Sequence, residues 1–240
     1  MEKSDRAQDI LQLEALLLSR AFLYELFHKL FGGTPDEALL EMLTAEVTAD
    51  TLEEFAGASD ELMALGGFLA VLRADDREQL LVRARDEYTR VFLGPLALPA
   101  SPYESPYTGA HDMATFQANT LEVRSVYRAN GLRVRREQAV PDDHVALMCA
   151  FMAELAKRAL VALRGGDCRQ IGHAVAMALK NLMGLVCDPV AGLVEVPCVK
   201  RNVIGAVNAV SCADMALAGA ESRIPVDEVI DAMGEGGRRM

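Results

Sequence analysis

Tryptophan is absent from this chain, and aromatic residues make up only 5% of it. Leu, Ala, Val and Met must therefore fill the core, and an Ala- and Leu-rich mixture favours helix. Cysteine is sparse and unpaired: Cys149, Cys168, Cys187, Cys198 and Cys212 form an odd set of 5 with no CxxC pair. That pattern argues against a disulfide framework or a zinc knuckle, fits a reducing compartment, and leaves most of these thiols as small core residues. No apolar run reaches the roughly 18 residues needed to span a bilayer. The opening MEKSDRAQDI is too polar for a secretion signal. The expected location is the cytoplasm, and the chain is not expected to be embedded in a membrane.

Positive charge is the next scarcity. The formal net charge is -11, which disfavours a nucleic-acid partner because such proteins carry a basic face. Between Thr34 and Asp60 there is no Lys or Arg, while Asp36, Glu37, Glu41, Glu46, Asp50, Glu53, Glu54 and Asp60 are all acidic. A solvated helix face accounts for this run, and it would also attract a cationic partner. One local basic cluster stands against the trend: Arg124, Arg128, Arg133, Arg135 and Arg136.

What is present is helical periodicity in a chain of 240 residues, 51% of them hydrophobic. Leu13, Leu16, Leu17, Phe22, Leu23, Leu26, Phe27 and Leu30 form one wide apolar stripe from about Asp5 to Phe31, which Gly32-Gly33 stops. Thr34-Pro35-Asp36-Glu37 opens a second helix, with a cap, Pro in the first turn and early acids. Further helices are expected near Leu52 to Phe55, from Ser59 to Leu72, from Asp75-Asp76 to Phe92, from Ala110 to Asn130 and from Pro141 to Leu163. Others follow from Cys168 to about Leu185, from Val199 to Leu217 and after Pro225. Strand alternation is lacking apart from an isolated patch at Leu193 to Val196. The expected fold is all-α, a single domain over residues 1–240. It would be a bundle of roughly ten helices in two halves, joined by a proline-rich connector at about 93–109.

That connector, within EYTRVFLGPLALPASPYESPY, carries Pro95, Pro99, Pro102 and Pro106. Prolines at this spacing forbid helix, push their neighbours into extended conformations and stiffen the segment. Loops of more than about 12 residues are uncommon in compact domains and are usually functional. Tyr103 and Tyr107 add rings whose hydroxyls need partners. A plain strap across the helices is one reading, and a wall of a groove for another chain is the other. In Val140-Pro141-Asp142-Asp143-His144 the proline and acids suit the start of a helix. His144, in that first turn, is expected to be neutral because the helix dipole disfavours imidazolium. His111-Asp112 is a second histidine–aspartate pair. Together with Asp143 and His144 it is the only set suggesting an all-α metal-dependent hydrolase, although the spacing of the 4 histidines does not support it. No nucleophile elbow or phosphate-binding loop occurs. Cys149 lies five residues beyond His144, off its helix face.

Tyr88-x-x-Val91-Phe92-x-Gly94-Pro95 followed by Leu98-Pro99-Ala100-Ser101-Pro102-Tyr103-Glu104-Ser105 resembles the signature of the TorD/DmsD family of cytosolic redox-enzyme maturation chaperones. Glu137 with Pro141-Asp142-Asp143-His144 is similar to that family's second motif. Val91 stands where leucine is common, and Pro106 where valine or isoleucine is common. The resemblance implies an all-helical chaperone, not an enzyme, with no cofactor. It implies a twin-arginine signal peptide as ligand, on the catalytic subunit of a molybdenum-cofactor oxidoreductase of the DMSO- or TMAO-reductase type. Guanine-nucleotide binding is a remote implication, and a homodimer is left open. The implied peptide-binding residues are Tyr88, Val91, Phe92, Pro102, Tyr103, Glu104, Ser105, Asp143 and His144. Tyr88, Val91 and Phe92 would line a groove, Tyr103 and Glu104 would stand on its rim, and Asp143 and His144 would contact the peptide or fix the connector. An acidic protein with an apolar groove suits a basic patch followed by an apolar run. The alternatives are the metal-dependent hydrolase and a helical scaffold with no groove.

Overall fold

The structure, a computed structural model, describes residues 2–55, 60–73, 76–94, 101–105, 113–135 and 140–165. Among these residues there are seven α-helices and no strand. They are α1 (Glu2–Gly32), α2 (Glu37–Thr44), α3 (Glu46–Phe55), α4 (Asp60–Leu72), α5 (Arg77–Tyr88), α6 (Met113–Ala129) and α7 (Val145–Gly165), with a π-helical turn (Thr89–Leu93) prolonging α5. The all-α expectation holds in that region. The helices expected beyond Cys168 and most of the 93–109 connector lie outside the described residues, so the ten-helix count is not established.

α1 and α7 form the spine. Leu23, Tyr24, Phe27 and Phe31 of α1 join Met148, Cys149, Met152 and Leu155 of α7 in the main core. Leu17 meets Ala159, Leu160 and Leu163 in a second cluster further along. Since early α1 meets late α7, the two helices run antiparallel. Fully burying one of these aliphatic or aromatic side chains contributes roughly 1.5–3 kcal/mol. Two ion pairs edge the seam, Glu14–Arg164 and Glu25–Lys157, each at 2.7 Å. α3 and α4 add Leu52, Leu65 and Leu69 to the main core, and α6 adds Val123 and Tyr127. α2 and α5 share a smaller cluster of Leu40, Leu80 and Leu81.

Several helix boundaries move from their expected places, each for a local reason. Asp36 caps α2 by accepting from the Leu39 N–H at 2.8 Å, so Pro35 precedes the helix instead of sitting in its first turn. Asp76 caps α5 through the N–H groups of Glu78 and Gln79. α3 starts earlier than expected, at Glu46, with Thr48 reaching back to the Met42 carbonyl. α6 ends where Gly131 takes φ +69, a left-handed conformation that glycine adopts without strain. α7 begins at Val145, after the Pro141-Asp142-Asp143-His144 turn and not within it. Asp142, Asp143 and His144 thereby leave the helix body and become free to hold other segments.

Candidate functional site

The connector, α6 and α1 all reach the N-terminal end of α7. His144 is its N-cap residue. The Leu147 and Met148 N–H groups bond to its carbonyl, at 2.8 and 3.1 Å, and its Nδ1 accepts from the Ala146 N–H at 3.1 Å. An N-cap acceptor satisfies a donor that the helix cannot. Burial holds the His144 imidazole neutral, pushing its pKa down to about 4; nearby Asp143 opposes this and His28 adds to it. Neutrality was expected, but its chief cause is desolvation and not the helix dipole. Ring contact completes the environment: Tyr103 meets His144 edge to face, with centroids 5.1 Å apart and planes at 85°.

The end of the connector is tied to this cap as a single antiparallel bridge, Tyr103 to His144. The Glu104 N–H donates to the Asp143 carbonyl at 3.1 Å, and the Val145 N–H to the Pro102 carbonyl at 2.8 Å. The carboxylate of Asp143, which is 0% exposed, accepts from both the N–H and the hydroxyl of Ser105. Thr120 Oγ1 of α6 donates to its other oxygen at 3.4 Å. Asp142 faces elsewhere: Arg124 Nε donates to its carboxylate at 2.8 Å, and the Tyr127 hydroxyl donates to its carbonyl at 3.0 Å. Thr120, Arg124 and Tyr127 lie at i, i+4 and i+7, one face of α6. From α1, His28 Nδ1 donates to the Ala146 carbonyl at 2.8 Å.

The end of α5 adds an aromatic group packed against the end of α1. The Tyr88 hydroxyl donates to the Phe31 carbonyl at 3.1 Å. Its ring lies 5.1 Å from Phe92, which in turn meets Phe31 edge-on at 5.9 Å. The π-turn over Thr89–Leu93 shifts the register of Phe92, and such turns recur at functional sites. Burial raises the Tyr88 pKa, and the Tyr103 phenol adds to it. Burial also raises that of Tyr103, followed by Asp143.

Of the residues singled out in the sequence, Pro102, Tyr103, Glu104, Ser105, Asp143 and His144 come together. Tyr88, Phe92, Tyr103 and His144 remain partly exposed, whereas Pro102, Val91, Ser105 and Asp143 are buried. Glu104 does not stand on a rim: it is 6% exposed. The basic cluster divides, since Arg124 is engaged with Asp142 while Arg133 and Arg135 are exposed. His28, Phe31, Thr120 and Tyr127 were not picked from the sequence. The i, i+4, i+7 spacing of Thr120, Arg124 and Tyr127 was the one available signal. For the hydrolase alternative, His111 and Asp112 lie outside the described residues. Among the described residues, no three His, Cys, Asp or Glu side chains are grouped to hold a metal ion. Cys149 is fully enclosed and burial pushes its thiol up to about 12, so it stays protonated and is no nucleophile.

Comparison with known proteins divides the chain. The family profile described as nitrate reductase delta subunit matches residues 45–184, in line with the resemblance to TorD-like chaperones. A second profile, serine dehydratase alpha chain, matches residues 145–240. The probable L-serine dehydratase alpha chain of Bacillus subtilis (strain 168) is 63% identical over 86 residues, 36% of this chain and 29% of that protein. That of Latilactobacillus sakei is 69% identical over 75 residues, 31% of this chain and 36% of the relative. The L-serine dehydratase alpha chain of Peptoniphilus asaccharolyticus is 50% identical over 92 residues, 38% of this chain and 32% of the relative. The chain thus spans about a third of the length of these curated relatives. No solved structure matches it. These matches overturn the expectation that the chain is not an enzyme: residues 145–240 are similar in sequence to a segment of an enzyme subunit. The expectation rested on the motifs between Tyr88 and His144, which carry no information about residues beyond α7.

Proposed function

Because the chain belongs to the nitrate reductase delta-subunit family, whose profile covers more than half of it, we propose that its helical part is a maturation chaperone for a molybdenum-cofactor oxidoreductase. Its ligand is the twin-arginine signal peptide of the catalytic subunit, bound in the cytoplasm before export. The family match over residues 45–184 carries this reading. The clamp supports it: a stiff segment, pinned at Asp143 and His144, holds Tyr103 partly exposed, as Tyr88 and Phe92 also are. Tyr88, Phe92, Tyr103 and His144 contact the apolar run of the peptide. Val91 supports them from below, and Pro102, Glu104, Ser105 and Asp143 hold the segment in place. The acidic surface of α2 and α3 attracts the arginines. No helix among the described residues is long and apolar enough to cross a membrane.

Calorimetric titration with a twin-arginine signal peptide from a molybdoenzyme of the same organism tests this. Binding at micromolar concentration or tighter is expected, weaker with salt and with both arginines changed to alanine. Absence of binding to every such peptide defeats it.

A specific observation favours a second activity for the remainder. The identities of 63% and 69% to serine dehydratase alpha chains support residues 145–240 as a segment of that enzyme type. On this reading residues 1–240 are not one chaperone domain but a helical chaperone module continued by an enzyme segment. α7 lies in the stretch that both profiles match. Consumption of L-serine by the purified protein, alone and with added cell extract, is the corresponding assay. No consumption under either condition removes the second activity and leaves the first untouched.

A further inference from the structure

An apolar run of peptide offers no side-chain hydrogen bonds. Its main-chain N–H and C=O groups are its only polar atoms, and taking them from water unpaired is costly. A site for such a run therefore needs a donor and an acceptor among its rings. The partly exposed imidazoles of His28 and His144 supply one of each, and the backbone of a single residue, Ala146, dictates which is which.

A backbone N–H can only donate, and a carbonyl can only accept. The Ala146 N–H meets His144 Nδ1 at 3.1 Å, so that nitrogen is bare and the neutral ring carries its proton on Nε2. The Ala146 carbonyl meets His28 Nδ1 at 2.8 Å, so that nitrogen bears the proton and the neutral ring leaves Nε2 bare. The tautomers are opposite: His144 keeps a donor at Nε2, and His28 keeps an acceptor. Among the described residues neither Nε2 has a hydrogen-bond partner. The rings are close enough that His28 helps to hold His144 neutral. Aromatic rings accompany both: Tyr103 meets His144 edge to face, and Phe31, one turn after His28 on α1, packs against Phe92.

We propose that the two imidazoles read the main chain of the bound peptide: His144 Nε2–H donates to a carbonyl of its apolar run, and His28 Nε2 accepts from an N–H. The run is extended where it crosses the pair, because a helix ties those groups up internally, whereas an extended residue offers both to one edge. Contacts of this kind are blind to side chains, so runs of differing apolar sequence are accepted. This assignment rests on the signal-peptide reading and adds His28 to it.

Substitution separates the two nitrogens of each ring. Asparagine ends where a histidine has Nδ1, and glutamine ends where it has Nε2. His28→Asn keeps a donor for the Ala146 carbonyl. It should hold its Tm, while its affinity for the twin-arginine peptide falls about fivefold. His28→Gln keeps the acceptor and loses the bond to α7, so its Tm should fall while affinity stays within about twofold. A purely structural histidine predicts the reverse ranking. His144→Asn keeps the cap and should also lose about fivefold in affinity. Peptides with one ester in place of an amide lack a single N–H. Scanned along the apolar run, one position should weaken binding to the unaltered protein and not to His28→Asn. Nitrogen NMR of the full chain at about pH 8, where a free imidazole is neutral, should show the proton on Nδ1 of His28 and on Nε2 of His144. The other tautomer at either ring overturns the assignment, as does undiminished affinity in either asparagine variant or an ester scan with no sensitive position. Each of those results leaves signal-peptide binding standing, whereas failure of the unaltered protein to bind the peptide removes both.

Discussion

Along the α1–α7 seam nearly everything in contact is hydrocarbon, whereas the clamp joins a carboxylate, two hydroxyls, an imidazole and paired peptide groups. The two regions adjoin at the start of α7. Hydrocarbon contacts are non-directional, so a seam built from them weakens in proportion to the atoms removed. A buried polar group behaves differently, because losing one partner strands the others without water. The seam sets how stable the molecule is. The clamp sets where one short segment lies.

The largest effect should come from the seam. Phe27→Ala removes a fully buried ring and is expected to cost about 3–5 kcal/mol in urea unfolding. Hydrogen exchange should then accelerate throughout the described helices. Asp143→Ala should cost about 3 kcal/mol by stranding the Ser105 and Thr120 donors. Its signature is local: the Glu104 and Val145 amides lose protection well beyond the global change, because both bond across the clamp. Uniform loss of protection in both variants would erase the distinction between seam and clamp.

Arg124→Ala leaves Asp142 buried, at 2% side-chain exposure, without its cation. A cost of about 2 kcal/mol is expected, below the roughly 3–5 kcal/mol of a fully buried pair because the arginine is partly exposed. Acid should act on the clamp before the seam. His144 has a folded pKa of about 4 against 6.5 for the free side chain, so the unfolded chain takes up the proton first. Its contribution is complete above pH 6.5 and falls away as pH drops towards 4, by up to about 3 kcal/mol before solvent screening. His144→Asn, which keeps a capping side chain, should flatten that part of the stability profile. The smallest effect belongs to the exposed seam pair. Hydrogen bonding to Lys157 lowers the Glu25 pKa, a contribution lost only as pH falls through the carboxylate range. Glu25→Gln should cost about 0.5 kcal/mol or less.

Much of α1 was legible because a 31-residue helix repeats its apolar stripe many times over. The opening of α5 at Asp76 was legible too, since an N-cap interaction closes within three residues, whereas Asp36 was read as an early acid after Pro35 and is instead the cap. The start of α7 was misplaced because Pro141, Asp142 and Asp143 each suit a first helical turn. Only contact with the connector and α6 gives their side chains other work. Glu104 shows the same limit: nothing local distinguishes a glutamate on a rim from a buried one.

The sequence by itself determined that the described part is helical and that residues 45–184 match the nitrate reductase delta-subunit profile, because propensity and similarity are both read along the polymer. Tertiary structure alone decided that Asp143 holds Ser105 while its neighbour Asp142 holds Arg124, that His144 is neutral by burial, and that α4 keeps an apolar face outward. Each of these depends on what water has been excluded from, and exclusion of water is a property of packed segments, not of their order along the chain.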